Sequence, residues 1–316
     1  MRRATVLYNP AAGVGRALPV SERACRVLAS RGVAVERHPT TGPGSATALA
    51  RSASRETDLL VVAGGDGSIR EALTGLGTCA PRIPIAVIPC GNANVLAREL
   101  GIPLAAGGAL DVLAHGVPRA VDVGCADGEL FLAMVGIGWD ARTTADLAAL
   151  RQTRLGARWY AAWADSAYFA CGLAALLTRP PPPLTIAADG RRLERRYRAA
   201  IIANHATYGK GWSMAPSARF DDGLIHYQAR KHFGAPFVAI QLLAAMLRRP
   251  VPGFVSDGGT GTHLVIRAER PFPVHVDGDF RGFETALALG VRPAAARVVV
   301  PVELARVAEL QRTGGL

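Results

Sequence analysis

One segment constrains the fold more than any other. The apolar run Leu59-Leu60-Val61-Val62-Ala63 enters Gly64-Gly65-Asp66-Gly67-Ser68 and then a helix-spaced stretch beginning at Ile69-Arg70. A short apolar run that stops at glycine reads as a buried strand, and glycines at its exit let main chain approach a phosphate closely. The helix start that follows offers free N–H groups and a positive dipole end. A plain strand-to-helix turn rarely needs three glycines around an acid.

The same alternation fills the chain up to about Val121. Strands are expected at 4–8, 33–37, 59–63 and 85–88, and helices at 18–30, 47–53, 69–76 and 93–100. Strands alternating with helices imply βαβ units and a parallel sheet, which binds ligands beyond the carboxyl ends of its strands. Two more strand exits carry polar, glycine-bearing loops, Asn9-Pro10-Ala11-Ala12-Gly13 and Gly91-Asn92-Ala93-Asn94. Each alone is an ordinary turn. Together with 64–68 they make a nucleotide pocket on one sheet edge, although none spells Walker A or G-x-G-x-x-G.

Beyond Val121 the texture becomes β-rich with glycine and proline turns, at 130–135, 184–188, 199–203, 224–228, 263–268 and 274–276. This predicts a mostly antiparallel second domain, interrupted by helices at 156–177 and 236–247, the first stopped by Pro180 to Pro183. A last apolar strand at 296–302 can return to either domain. The expected architecture is α/β: a parallel-sheet nucleotide-binding domain at 1–122, to which 291–316 can return, then a β-sandwich-like, lipid-binding domain at 123–290, with the active site in the cleft between them.

A formal net charge of +11 points to an anionic partner. The basic residues are nearly all arginine, Lys210 and Lys231 being the only lysines, and they are scattered. Nucleic acid is disfavoured because basic and aromatic residues do not alternate as base-stacking surfaces require. The five cysteines contain no Cys-x-x-Cys pair, so neither a disulfide framework nor a zinc site is indicated. The seven histidines lack metal-ligand spacing and are read as structural. The opening MRRATVLYNP lacks the apolar core and small-residue cleavage site of a signal peptide, so export is not expected, and no apolar run reaches the roughly 18 residues of a membrane span. Membrane contact is therefore expected to be peripheral. The stretch 156–177, carrying Trp159, Tyr160, Trp163, Tyr168 and Phe169 after Arg151, Arg154 and Arg158, reads equally well as an interfacial helix or a core helix.

The motif order is more specific than any single motif. Asn9-Pro10-x-x-Gly13, Thr40 with Gly44-Ser45-Ala46, Gly64-Gly65-Asp66-Gly67-Ser68, the run Gly91 to Arg98 and Asp221-Asp222-Gly223-Leu224 stand as in the diacylglycerol kinase catalytic-domain family, which the chain resembles over nearly its whole length. Bacterial lipid kinases, sphingosine kinases and ceramide kinases belong to that family. The resemblance implies ATP at Asn9, Pro10, Ala11, Ala12, Gly13, Thr40, Gly64, Gly65, Asp66, Gly67, Ser68, Ile69, Arg70 and Asn92. It implies structural Mg²⁺ at the Asp222 carboxylate with main-chain carbonyls of Arg219 and Leu224. It also implies a general base in Val276-Asp277-Gly278-Asp279, where relatives usually read Asp-Gly-Glu, with the assignment between Asp277 and Asp279 left open.

The chain departs from the family where Gly-Thr-x-Asn-Asp becomes Gly91-Asn92-Ala93-Asn94-Val95. An apolar side chain replaces a carboxylate, leaving Asp66 and Asp122 to carry the catalytic cation. The implied activity is ATP-dependent phosphorylation of a lipid hydroxyl, as in diacylglycerol, ceramide or a sphingoid base, by a cytoplasmic enzyme touching an anionic membrane at its inner face. The rivals are a catalytically silent lipid- or nucleotide-binding protein and a soluble kinase of the NAD kinase or phosphofructokinase type. The lipid and the oligomeric state are not read from the sequence.

Overall fold

The computed structural model describes residues 1–304 apart from 14, 178, 179 and 210. Lys210, and the 291–316 segment beyond 304, lie outside the described residues. The chain divides into two compact units, Met1–Val123 with Gly209–Gly211 and Arg292–Leu316, and Gly124–Tyr208 with Trp212–Val291.

In the first unit the elements run β1 (Arg3–Tyr8), α1 (Ala17–Ala29), β2 (Ala34–Pro39), α2 (Ser45–Ala53), β3 (Leu59–Gly64), α3 (Asp66–Leu76), β4 (Ile85–Pro89), α4 (Val95–Glu99), α5 (Ala106–His115) and the start of β5 (Val117–Ala126). Strands β4, β3, β1 and β2 lie side by side and parallel, Leu60 opposite Ile85 and Ala4 opposite Leu59. All six residues of β3 are buried, which explains its unbroken apolar composition. Helix α1 buries Val20, Ala24 and Leu28, the helical period turned toward the sheet. The helix expected at 93–100 is only Val95–Glu99, because Asn94 takes a left-handed conformation, φ 49°. Helix α5 has no counterpart among the expected elements.

The second unit continues with β6 (Glu129–Phe131), β7 (Met134–Ile137), α6 (Trp139–Gln152), α7 (Arg154–Leu176), β8 (Thr185–Ala188), β9 (Arg191–Arg192), β10 (Ala199–Ala203), β11 (Thr207–Tyr208), β12 (Trp212–Ser213), β13 (Ile225–Arg230), α8 (Ala235–Met246), β14 (Ser256–Gly261), β15 (His263–Val276) and β16 (Asp279–Val300). Its strands pair antiparallel in the order β14-β13-β10-β7-β15-β16. Phe131, Val135, Ile186, Tyr197, Ile202, Tyr227 and Phe272 fill its β-sandwich-like core. The end of β16 leaves this unit and runs parallel to β4, Val298 opposite Ile85.

Several expectations are corrected here. The run 130–135 is two strands, separated at Leu132-Ala133. The runs 263–268 and 274–276 are one strand, whose register shifts between Arg267 and Phe272. The run 296–302 is, as far as Val300, the tail of β16. Helix α6 lies where none was expected, packed against β7 and β15 and covered by α7. The glycine-rich Ser256–Gly261 is a strand because its main chain pairs fully with β13.

Candidate active site

Because the strands of the first unit are parallel, the exits of β1, β2, β3 and β4 share one edge. Asn9 begins the first exit loop, its Oδ1 accepting the Ala11 N–H at 3.0 Å while the Asn9 carbonyl accepts the Ala12 N–H. The Asn9 N–H donates to Ala63 and the Cys90 N–H to Gly64, tying three exits together. Gly65 and Gly91 touch main chain to main chain: a Cβ on Gly91 would stand 2.6 Å from the Gly65 Cα. Only glycine permits that approach.

Helix α3 starts inside the Gly-Gly-Asp-Gly motif, at Asp66, and no side chain caps it. Its first N–H groups at Asp66, Gly67 and Ser68 therefore face the loops, and a Cβ on Gly67 would meet nothing within 4 Å. The Asp66 carboxylate turns away from that open space. Its oxygens accept the N–H groups of Val95 at 2.9 Å and Leu96 at 3.1 Å, fixing α4 and the loop before it. Asn94 closes the same loop by pairing with both the N–H and the carbonyl of Gly91, and the Arg98 Nε donates to the Ala93 carbonyl. Asn92, by contrast, is exposed at the loop's tip. Ile69 is buried beneath the helix start and Arg70 is half-buried. Thr40 follows β2, its N–H on the Tyr8 carbonyl. The start of α2 is not open to an anion, since Glu71 accepts from Gly44 and Ala46.

The acids proposed as metal ligands are also engaged with main chain. Asp122 is buried, with Oδ1 accepting the Ala294 N–H at 2.8 Å. Asp222 accepts the Leu224 N–H at 3.0 Å on one oxygen and meets His226 Nε2 at 2.9 Å with the other. Each Asp222 oxygen keeps a further lone pair, so an all-oxygen set completed by the carbonyls of Arg219 and Leu224 fits magnesium in donor chemistry. Among the described residues no three His, Cys, Asp or Glu side chains gather as a metal cluster.

In the second unit β15 and β16 are joined by the turn Asp277-Gly278. Asp277 takes a left-handed φ of 52°. Its carboxylate accepts three main-chain N–H groups, from Leu132 at 2.9 Å, Ala133 at 2.8 Å and Met134 at 3.1 Å. This explains the break between β6 and β7: the amides there serve a carboxylate instead of a neighbouring strand. Asp279, two residues on, is exposed.

Beside this turn lies a polar cluster that sequence reasoning missed. His275, fully buried, places Nε2 2.7 Å from Asp140 Oδ2, and its Nδ1 accepts the Gly278 N–H at 3.2 Å. Nδ1 therefore carries no proton and Nε2–H donates to Asp140. The ring is seated only because Gly136 faces it, where a Cβ would fall 2.1 Å from Nε2. Tyr168 from α7 and Tyr208 from β11 donate to Asp140 Oδ1 at 2.9 and 3.0 Å. Burial opposes the Asp140 charge, yet His275 and the two tyrosines outweigh it and hold the carboxyl below the usual carboxylate range. Burial, and then the Asp140 charge, push both tyrosines well above theirs. The available signal was Gly138-Trp139-Asp140 directly after a strand, a glycine and an acid at a strand exit.

On α7, whose helical geometry breaks at Trp163, the outer face is apolar: Trp163 and Phe169 are each 70 % exposed, with Leu155 and Leu173 also exposed, and Leu177 just past its end. Tyr168 reaches inward to Asp140, and Ala167, Cys171 and Ala175 of the same helix are buried. Among the described residues no helix is long and apolar enough to cross a membrane.

Residues 3–126 match the diacylglycerol kinase catalytic domain, and residues 133–300 the YegS C-terminal NAD kinase beta sandwich-like domain. A diacylglycerol kinase of Bacillus subtilis (strain 168) is 30 % identical over 247 residues, covering 77 % of this chain and 79 % of that protein. A probable lipid kinase, YegS-like, of Pseudomonas aeruginosa (strain UCBPP-PA14) is 30 % identical over 253 residues, covering 77 % and 76 %. A crystal structure of a diacylglycerol kinase from Bacillus anthracis str. Sterne shares the fold at a TM-score of 0.71 and 20 % identity, over 96 % of this chain and 98 % of that one. With the catalytic domain and its companion β-domain both matched, and a relative 30 % identical over most of both chains, this chain belongs to the diacylglycerol kinase family of lipid kinases.

Proposed function

We propose that this kinase transfers the γ-phosphate of ATP to the hydroxyl of diacylglycerol or a related lipid, with Asp279 as the acid that receives the hydroxyl proton. The observation that carries the reading is the edge of the first unit, where glycine loops meet main chain to main chain around the uncapped start of α3. Asp66 supports this edge by holding α4, and the free N–H groups at 66–68 suit a phosphate chain. Asn9 to Gly13, Thr40 and Asn92 would complete the nucleotide site.

In the second unit Asp277 spends its oxygens on three amides and fixes the turn, whereas Asp279 is a solvent-exposed residue at the start of β16. That division favours Asp279 as the base and Asp277 as the residue that positions it. The lipid oxygen attacks phosphorus, the bond to the β-phosphate oxygen breaks, ADP leaves and the proton passes to the carboxylate. Asp222 with the carbonyls of Arg219 and Leu224 would hold a structural Mg²⁺, and Asp122 would lie near the catalytic one. Magnesium with the nucleotide would neutralise charge on the transferring phosphoryl group. Val95, standing where relatives carry an acid, favours a second reading in which the chain binds nucleotide without catalysis.

The exposed apolar face of α7, with Arg151, Arg154 and Arg158 beside its start, suits peripheral contact with an anionic bilayer at its inner face. Phosphorus NMR of ATP, Mg²⁺ and dispersed diacylglycerol tests the function. The reading expects a new lipid phosphomonoester resonance growing as γ-phosphate is lost. Tightly bound ATP with no such resonance on any hydroxylated lipid would leave the silent-binding reading.

A further inference from the structure

Arg230 ends β13. Alternation along that strand sends Ile225, Tyr227 and Ala229 into the core cluster and His226, Gln228 and Arg230 to the opposite face. Arg230 is only 4 % exposed, and its Nε, Nη1 and Nη2 have no hydrogen-bond partner. Asp140 is the acid whose charge it feels, but both Asp140 oxygens already accept from His275, Tyr168 and Tyr208. Burial lowers the Arg230 guanidinium to about 10, against the opposing pull of Asp140. A buried cation with all its donors unmade is costly, and a native chain keeps one where something else supplies the acceptor.

Arg230 lines a cavity of about 20 Å³ together with Asp140, Trp139, Ile201, Phe237 and Gln241. That volume admits a single oxygen-sized group. Ile137, Phe233, Val238 and Val255 add to its apolar walls, and Asp140, His232 and Gln241 are the other polar residues around it, Asp140 already satisfied by its own donors. Apolar walls with a few polar groups suit the polar end of a hydrophobic molecule. We propose that this cavity receives an acidic oxygen of an amphiphile, a phosphate or carboxylate borne on an apolar chain, with Arg230 as its donor. A guanidinium matches such oxygens in charge and planar geometry. Occupancy would be felt at the catalytic turn, because Asp140 holds His275 and His275 holds the Gly278 N–H. The inference takes its amphiphile from the lipid-kinase reading, but its test reads binding, so absence of phosphoryl transfer leaves it standing.

The test is thermal melting and calorimetric titration of the full chain with dioctanoyl phosphatidate, octanoate, inorganic phosphate and uncharged dioctanoylglycerol. High salt screens the exposed arginines but not a buried one. Phosphatidate or octanoate, whichever supplies the acid, is expected to raise the melting temperature beyond dioctanoylglycerol. Arg230→Met should bind that acid at least about tenfold more weakly, the loss of one charge-assisted contact, while keeping its response to dioctanoylglycerol. Equal responses to charged and uncharged lipid in the unaltered chain would overturn the proposal whatever the variant does. So would inorganic phosphate matching the lipids, or an acid response that survives in Arg230→Met. Should that variant fail to fold, Arg230→Lys, which keeps the charge but loses the fork, is expected to show the weakened acid binding, and unchanged binding there would count against the proposal.

Discussion

Replacing Asp277 by asparagine separates a structural clamp from a catalytic base. In the folded chain Oδ1 accepts from Ala133 and Met134, and Oδ2 from Leu132. Asparagine offers one carbonyl oxygen, so its amide must face an N–H at the other position, donor against donor. A hydrogen bond to a charged group contributes about 1.5–3 kcal/mol. Losing one and weakening two should cost about 3 kcal/mol. For a unit of this size that is a fall of about 6–12 °C in melting temperature. Asp279→Asn changes an exposed side chain and should stay within about 0.5 kcal/mol of the parent. Its turnover should nevertheless fall by about 10²–10⁴, as for removal of a general base. Differential scanning calorimetry of the two variants, run beside turnover, decides the matter. An Asp277→Asn protein that melts with the parent, or an Asp279→Asn protein with full turnover, would refute the division of roles.

Gly91→Ala should abolish nucleotide binding with little change in the second unit, because its Cβ would press on the Gly65 Cα, and fluorescence titration with a labelled ATP analogue checks it. Asp66→Asn, which breaks one of two amide contacts at the start of α4, should weaken ATP at least about tenfold in the same titration. Asp140 predicts a pH dependence. Its folded pKa lies below the unfolded 3.8, so it contributes stability that is complete above about pH 4 and is lost as pH falls through the folded value. Acid titration of melting temperature should be shallower below pH 4 in Asp140→Asn than in the parent, and identical slopes would contradict the network. Trp163→Ser should reduce sedimentation with vesicles rich in phosphatidylglycerol while leaving ATP binding unchanged.

Much of this was legible because β3 and its loop obey local rules. A run buried on both faces must be apolar throughout, and a loop that meets another loop main chain to main chain must be glycine, so 59–68 announces itself. Helix α5 was illegible because Ala106-Gly107-Gly108-Ala109 has poor helical propensity and the helix is held by packing against α1 and β4. The break in 130–135 depends on Asp277, more than a hundred positions away, and no local pattern records that. The motif acids were found but their neighbours were not: Asp66 binds an N–H of Val95, the residue that departs from the family, so the loop keeps its shape without the missing carboxylate. His275 carries no ligand spacing because its partner, Asp140, comes from another element, and only the sheet register opposite Gly136 brings them together.

Transfer of label from γ-labelled ATP with Mg²⁺ to a panel of micellar lipids, diacylglycerol, monoacylglycerol, ceramide, sphingosine and phosphatidylglycerol, tests the central claim most directly when the unaltered chain and Asp279→Asn are run together. The account predicts label in one lipid class, nearly lost in the variant although the variant still folds and binds ATP. Label on no lipid, or label transferred equally by both proteins, would contradict it.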